Sequence, residues 1–276
     1  MTKRHEVEEH IEVLNEIQNI MGGMKNLAIM EMHKLARYHK TQQQAVDSIA
    51  HALNDVRRHY VSDEPPDHNE ATIYLLLGSE RGFCGPYNEQ ILERLGAQPD
   101  HQHAPIIAVG SRLSAPALRQ YPNAVCLPGP VVADEVETVL SAIMEALNQL
   151  RQARGAFRLE VIYFAPSSHE PQCLPALPPL ESVAHEGFPP IINLPPARLL
   201  SELLEHYLFA VTHAWLFTAL TAENQRRMQH LEQATHHLEK VVDDLDRRRN
   251  VLRQEEIIEE IEVILLSSEA VGAPGV

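Results

Sequence analysis

Two long segments, one at each end of the chain, constrain the fold more than any other feature. Residues 1–60 contain no proline, and from Leu14 to Val56 apolar residues recur at alternating spacings of three and four. This heptad pattern predicts a helix with a continuous packing seam. At 1.5 Å per residue it would be roughly 85 Å long, which exceeds an ordinary globular domain. The helix therefore requires a partner along its length.

The C-terminal segment supplies a suitable partner. No proline or glycine occurs from residue 197 to residue 269. Residues 199–222 are apolar nearly all round, which predicts burial against a sheet. A narrower stripe at helical spacing then follows: Met228, Leu231, Thr235, Leu238, Val242, Leu245 and Leu252. We therefore predict a long antiparallel coiled coil of the N- and C-terminal helices, in which residues 223–270 pair with the first helix.

The middle of the chain has a different pattern. Short apolar runs typical of strands alternate with helical patterns, which predicts a small sheet covered by helices. The predicted strands are Ala71–Leu77, Pro105–Val109 and Arg158–Phe164, and the predicted helices are Tyr87–Leu95, Ser111–Gln120 and Asp134–Ala153. A proline-rich passage from Pro166 to Pro195 is expected to be extended and loop-rich. The predicted fold class is α/β, with an N-terminal coiled-coil helix at 1–60, an inserted Rossmann-like α/β foot at 61–198, and a C-terminal helix at 199–276.

Composition restricts the partners and the compartment. The 276 residues include 23 Lys and Arg against 38 Asp and Glu, a net charge of −15. This balance argues against nucleic acid or an anionic membrane surface as the main partner, because phosphate binding needs clustered basic residues. No secretory signal or membrane-spanning segment is visible, so we expect an intracellular protein without direct membrane insertion. The three cysteines form no C-x-x-C pair, which fits a reducing compartment.

Motifs for bound cofactors and catalysis are not evident. Gly78, Gly82 and Gly85 follow a predicted strand, but their spacing fits neither the P-loop nor the dinucleotide fingerprint, so a tight turn is the preferred interpretation. The sixteen histidines never form an H-E-x-x-H arrangement. We expect no catalytic residue, no metal site and no cofactor.

Three segments of the chain resemble one family, the gamma subunit of rotary F-type ATP synthases. Ile20–Lys25 with Ala28 resembles the family's I-x-x-A-M-K-x-x-A near the start of its first helix. Ser79–Asn88, with the sequence SERGFCGPYN, is similar to S-D-R-G-L-C-G-G-F-N after the first strand. The third segment has two parts, Glu223–Met228 with Ala234–Thr235, and Asn250–Gln254 with Ile257 and Glu260. They are similar to the family's E-x-x-A-R-M…A-T and N-x-x-R-Q-x-x-I-T-x-E. The segments occur in the family's order and span the chain.

The resemblance implies a non-catalytic rotor shaft. Such a subunit stands inside the ring of alternating alpha and beta subunits and couples ion flow through the membrane ring of c subunits to ATP synthesis or hydrolysis. Its foot would sit on the c ring and the epsilon subunit, which implies a peripheral location at the cytoplasmic face of the bacterial inner membrane.

Specific residues are assigned by the same resemblance. The positions matching subunit contacts or coiled-coil pairing are Met24, Lys25, Arg227, Arg253, Gln254, Ile257 and Glu260. The positions matching the foot motif are Ser79, Arg81, Gly82, Cys84, Gly85 and Asn88. Arg253 and Gln254 would form a polar catch against a beta subunit, because a guanidinium offers a fork of donors for a carboxylate.

Several positions depart from the family pattern. Ile258 replaces a threonine, Pro86 replaces a glycine, and Arg226 replaces an alanine. No Lys or Arg follows Arg253, whereas six glutamates do. These departures indicate a divergent branch, such as the sodium-type ATPase of some bacteria.

A second hypothesis comes from a different class of protein. The chain could be a coiled-coil adaptor whose α/β domain binds a small molecule or a nucleotide. Direct binding of ATP by the chain alone would favour that hypothesis over the rotor.

Overall fold

The computed structural model describes residues 3–60, 71–177 and 188–271. Its helices are α1 (Lys3–Tyr60), α2 (Tyr87–Gly96), α3 (Ser111–Gln120), α4 (Val136–Arg154) and α5 (Pro196–Val271), with a 3₁₀ turn at Ala133–Glu135. Its strands are β1 (Ala71–Leu77), β2 (Ile106–Val109), β3 (Val125–Leu127), β4 (Phe157–Tyr163) and β5 (Gln172–Pro175). The predicted long helices are thus present, and each predicted strand and helix of the middle region lies within two residues of an observed one. The sequence patterns did not predict β3 and β5, because one is three residues long and the other lies in the proline-rich passage.

The chain forms two compact units. One, the coiled-coil unit, contains Met1–Leu27 and Gln229–Val276, and the other, the sheet unit, contains Ala28–Met228. The sheet unit extends beyond the predicted foot at 61–198, because residues 28–60 of α1 and 196–228 of α5 belong to it.

Within the coiled-coil unit the two helices run antiparallel. Three cross-helix pairs show this, because the partner's residue number in α5 falls as the residue number in α1 rises. The pairs are Arg4 with Glu256, Gln18 with Glu239, and Lys25 with Glu232. The polar atoms of these pairs are 2.8, 3.3 and 3.6 Å apart. The predicted antiparallel coiled coil is therefore confirmed.

The buried seam of α1 is narrower than the stripe in the sequence. Of the seven predicted positions spaced by seven residues from Leu14, five are buried, Leu14, Met21, Ala28, Leu35 and Val56, and Gln42 and Ile49 are half-buried. The alternate positions are more open, since Ile17 is 40% and Tyr38 44% exposed. Towards the end of the helix Val46 and Leu53 are buried, one residue beyond the predicted Ala45 and Ala52. A helix with 3.6 residues per turn drifts from a strict heptad, which accounts for this shift of the seam.

The sheet has the strand order β3-β2-β1-β4-β5. The first four strands are parallel, and β5 pairs antiparallel to β4. Successive side chains of β1 point to opposite faces of the sheet, so the strand contributes to two core clusters. Ile73, Leu75 and Leu77 face residues of α1, α4 and α5, whereas Tyr74 and Leu76 face α2 and α3. Because β1 lies between β2 and β4, its carboxyl end marks the point where the strand order reverses, the usual ligand-binding place of a Rossmann-like sheet.

The first helix is also held to the sheet unit by polar contacts. The Glu31 carboxylate accepts a hydrogen bond of 2.7 Å from the backbone N–H of Ala133, and Lys34 Nζ lies 2.8 Å from an oxygen of Asp134. Further along, the His213 ring nitrogen Nδ1 lies 2.8 Å from Gln42 Oε1. These contacts join α1 to the 3₁₀ turn and to α5. No helix in the described part of the chain has both the length and the apolar character to cross a membrane.

Two glycines provide a test of the backbone. Gly110 has φ +116°, and a Cβ atom there would lie 2.8 Å from the carbonyl oxygen of Ser79, whereas a Cβ at Gly22 would have no neighbour within 4 Å. We expect Gly110→Ala to lower the free energy of unfolding by about 2 kcal/mol or more. The control Gly22→Ala should raise it by about 0.5–1 kcal/mol, because alanine is favoured inside a helix. Urea denaturation measures both, and changes of the same sign would contradict this backbone geometry.

Candidate functional site

The loop after β1 is fixed to the first turn of α2. The backbone N–H of Ser79 donates to Asn88 Oδ1, and Asn88 Nδ2 donates to Ser79 Oγ, both at 2.9 Å. Ser79 is 1% and Asn88 9% exposed, so these bonds lie inside the protein. The first and last polar residues of the foot motif therefore close the loop on itself.

A carboxylate from α5 occupies this loop. Glu223 accepts hydrogen bonds from the backbone N–H groups of Glu80 and Arg81, at 3.2 and 3.1 Å. It also pairs with the guanidinium of Arg227, one helical turn later. Both side chains are only 5% exposed. We call Glu223, Arg227 and the loop residues 79–82 the α5 anchor.

Arg227 completes the anchor through its other nitrogens. Its Nε donates to the carbonyl oxygen of Gly82 at 3.1 Å, and its Nη1 donates to Asn224 Oδ1 at 2.9 Å. Burial raises the pKa of the Glu223 carboxyl, and the guanidinium and the two backbone N–H groups oppose that rise. A buried ion pair is tolerated when its donors and acceptors are satisfied in this way.

A second carboxylate lies at the amino end of α3. Glu80 accepts hydrogen bonds from the backbone N–H groups of Ser111, at 2.8 Å, and Gly129, at 2.7 Å, and from Ser111 Oγ at 2.7 Å. Partial burial raises the pKa of Glu80, but the hydrogen bonds outweigh it, so the pKa lies below its ordinary value. Glu80 thereby ties the ends of β1, β2 and β3 together.

These two carboxylates occupy the places where a Rossmann-like sheet binds anions. Phosphate groups bind at backbone N–H groups of the first loop and at helix amino ends beside the switch point. Here Glu223 takes the N–H groups of Glu80 and Arg81, and Glu80 takes the amino end of α3. The arrangement is therefore a joint between α5 and the sheet. It does not favour the hypothesis of a nucleotide-binding adaptor.

The remaining foot-motif residues shape the tip of the loop. Cys84 is 5% exposed, and burial raises the pKa of its thiol to about 12, so it is neither a nucleophile nor a ready metal ligand. Gly85 adopts φ +64°, in the left-handed region that favours glycine. Arg81 is exposed, and Gly82 contributes its carbonyl to Arg227. The motif is thus structural in its buried part.

The residues expected at subunit contacts do not form one cluster. Met24 and Lys25 are half-buried on α1, while Arg253, Gln254, Ile257 and Glu260 are exposed on α5. Arg253, Ile257 and Glu260 share one face, because they are spaced by four and three residues. Arg227 differs from all of these, since the chain itself buries it. Its side chain is engaged by Glu223, Asn224 and Gly82, so it presents no contact surface.

Sequence reasoning placed Glu223 in a motif but assigned no role to it, and it did not single out Glu80. A Glu and an Arg four residues apart are common on exposed helix faces, where they are worth little. The available signal was the largely apolar run from Tyr207 to Ala222, interrupted by His213, which predicted burial of this part of α5.

The anchor predicts a large asymmetry between single and double substitutions. Arg227→Met should lower the free energy of unfolding by about 3–5 kcal/mol, because it leaves the Glu223 carboxylate buried without its partner. Combining it with Glu223→Gln should cost less than the sum of the single changes. The control Arg247→Met, on a side chain that is 80% exposed, should change stability by about 0.5 kcal/mol or less. Denaturant titrations of the four variants measure this, and additive losses would contradict the coupled pair.

Glu80 predicts a dependence of stability on pH. Because its pKa is lowered on folding, the ionised carboxylate stabilises the protein above the ordinary value of 4.5, and this contribution is lost as the pH falls through the lowered value. Glu80→Gln should therefore be less stable than the wild type at pH 7 by about 1 kcal/mol after screening by solvent. The difference should shrink below pH 4.5. Urea denaturation at pH 7 and pH 4 measures it, and a deficit that grows in acid would contradict the assignment.

Comparison with known proteins agrees with this architecture. The chain is 27% identical over 219 residues to the ATP synthase gamma chain of Lachnoclostridium phytofermentans, covering 72% of this chain and 73% of that one. The chain is also 24% identical over 207 residues to an ATP synthase gamma chain of Clostridium botulinum, and the match covers 72% of each chain.

Solved structures share the fold. The rotor of the Euglena gracilis mitochondrial ATP synthase matches with a TM-score of 0.66 at 14% identity, over 92% of this chain and 98% of that one. The central stalk and c ring of the Tetrahymena thermophila enzyme give a TM-score of 0.57 at 16% identity, over 78% and 99%. A family model described as ATP synthase matches residues 3–271. Because that match spans nearly the whole chain, this protein belongs to the ATP synthase family, in the group of its gamma chains.

Proposed function

We propose that this chain is the central rotor shaft of an F-type ATP synthase or ATPase. It performs no chemistry itself and couples ion translocation through a membrane ring to ATP synthesis or hydrolysis in a catalytic ring. The family membership, the relatives that are gamma chains, and the likeness to rotor structures support this role.

The exposed end of α5 is the observation that carries the proposal. Glu256 pairs with Arg4 near the start of α1, and every side chain from residue 257 to residue 265 is exposed. The apolar side chains there are 46–66% exposed, and they are Ile257, Ile258, Ile261, Val263, Ile264 and Leu265. So large an apolar surface on a helix is costly in water and marks a surface made for another protein.

The spacing of these residues gives the helix end two unlike sides. With about 100° of turn per residue, Ile257, Ile261 and Ile264 lie together, and Glu255, Glu259 and Glu262 lie roughly opposite. A shaft changes the state of its surroundings only if its sides make different contacts. A mainly apolar side, bordered by Glu260, and a mainly acidic side, bordered by Val263, meet that requirement.

The proposed partners follow from the same role. They are the alpha and beta subunits around the coiled coil, with the epsilon subunit and the c ring at the foot. We place the complex at the cytoplasmic face of the bacterial inner membrane. The exposed side chains of Arg253 and Gln254 would contact a beta subunit, with Ile257 and Glu260 beside them and Met24 and Lys25 on the other helix. The division into segments 1–60, 61–198 and 199–276 then corresponds to ascending shaft, foot and returning shaft.

The proposed catch predicts a loss of coupling without a loss of folding. Arg253→Glu combined with Gln254→Ala should leave assembly with alpha and beta subunits intact, because both side chains are exposed. Uncoupled ATP hydrolysis should become about tenfold faster, the effect of losing roughly 1.4 kcal/mol of charged contact, so ion transport per ATP hydrolysed should fall. Transport in inverted vesicles and ATPase activity of the same complex measure it.

The control for this experiment is Arg247→Glu, an exposed arginine elsewhere on α5, which should keep normal coupling. Unchanged coupling in the Arg253 and Gln254 variant would remove the catch. The rotor role itself would be contradicted if the full chain, co-expressed with alpha and beta subunits, purified alone and bound ATP directly.

A further inference from the structure

Arg226 makes a set of contacts that the function described above does not use. Its Nη2 donates to the carbonyl oxygens of Ser168 and His169, at 3.1 and 2.9 Å. Its guanidinium carbon lies 4.6 Å from the centroid of the Phe164 ring, within range of a cation–π interaction. One side chain thus binds three residues of the segment that follows β4.

The neighbouring residue holds the same segment. Gln225 Oε1 accepts from the backbone N–H of Ser167 at 3.0 Å, and Gln225 Nε2 lies 3.2 Å from Ser167 Oγ. Ser167 has φ +62°, a backbone conformation that a non-glycine residue adopts only where its surroundings enforce it. We call residues 164–169 the β4 loop. Gln225 and Arg226 therefore fix its shape as well as its position.

The β4 loop and the α5 anchor lie on either side of the helix. At about 100° of turn per residue, residues 223 and 227 lie about 40° apart around α5, residue 225 lies roughly opposite them, and residue 226 lies about 60° from residue 223 on the way to residue 225. Residues 223 and 227 bind the loop after β1, and residues 225 and 226 bind the loop after β4. These strands are neighbours, with Leu76 paired to Ile162. Contacts on one side of a helix allow it to roll about its axis, whereas contacts on both sides oppose rolling in either direction.

We infer that Arg226 is a positioning residue that, together with Gln225 on the side opposite the anchor, completes a two-sided clamp and prevents α5 from turning about its own axis relative to the sheet. This inference rests on the proposed function, in which α5 carries torque. Arg226 lies three residues before Gln229, where the coiled-coil unit begins along the chain. Torque carried by α5 between the two units therefore passes through the clamped turn, and Arg226 sets the torsional stiffness of that turn.

The first test concerns the clamp alone and uses the full chain. Arg226→Ala should speed hydrogen exchange of the peptide 165–171 by about tenfold, because removal of two charge-assisted bonds frees the β4 loop. Arg226→Lys should give a smaller increase, since an ammonium keeps the charge near Phe164 but lacks the fork of donors. Exchange in the peptide 79–86 should stay within twofold of the wild type, because the α5 anchor is intact. The matched control Arg247→Ala, on an exposed arginine of α5, should leave both peptides unchanged. Unaltered exchange in 165–171 for Arg226→Ala would overturn the clamp.

The second test concerns torque and uses the chain assembled with alpha and beta subunits. With the ring fixed and stalled, a bead attached to the foot fluctuates in angle, and the variance is inversely proportional to torsional stiffness. Arg226→Ala should increase the variance over the wild type and over Arg247→Ala. An unchanged variance together with faster exchange would overturn the role of Arg226 in stiffness and leave the proposed function standing. Failure of the wild-type chain to assemble would overturn the proposed function, and with it the torque role, whatever the exchange result.

Discussion

The rest of the structure depends on the hydrogen bonds and the ion pair that the Glu223 carboxylate forms. Two backbone N–H groups of the loop after β1 and the Arg227 guanidinium converge on it in a site that is nearly closed to water. Such a site is stable only when each charge is compensated, so the loop, the helix and the ion pair must form together. At the place where a Rossmann-like sheet would bind an anion, this protein binds a carboxylate of its own helix. The sheet therefore holds α5 in a fixed position.

The same helix has to satisfy two different surroundings. Its segment around Trp215 and Leu220 is buried in the core beside the sheet, and the anchor follows within one turn. Between Met228 and residue 265 only a stripe through Leu231, which is fully buried, remains covered. Because no proline or glycine interrupts the helix between these regions, backbone hydrogen bonds continue through the change. The segment of α5 that is held by the sheet and the segment that follows in the coiled coil therefore belong to one continuous, hydrogen-bonded helix.

Local sequence patterns predicted the helices and strands. The contact between α5 and the loop after β1, in contrast, depends on residues far apart in the sequence. Strand β1 was predicted with its observed bounds because a seven-residue, mainly apolar run lies there, and α3 was predicted although Pro116 lies inside it. The anchor was not predicted, because Glu223 and Arg81 are 142 residues apart and leave no periodic signal. Arg227 was expected at a subunit contact or in the coiled-coil pairing because of the family resemblance, which does not distinguish a buried arginine from an exposed one. A Glu and an Arg at i and i+4 have the same spacing on a wet helix face and in a core, and only the fold distinguishes the two.

The negative charge of the chain acquires a specific meaning at the exposed end of α5. A ring with repeated subunits presents similar surfaces in several directions, so a shaft that is alike all round would bind every orientation equally and select none. Here Ile261 and Glu259, two residues apart, point to roughly opposite sides of the helix. Removing a carboxylate from water beside an apolar wall costs several kcal/mol, whereas removing isoleucine from water is favourable. The free energy of contact between this helix end and the surfaces around it therefore depends on the orientation of the helix end. This dependence lets rotation drive conformational changes in its neighbours.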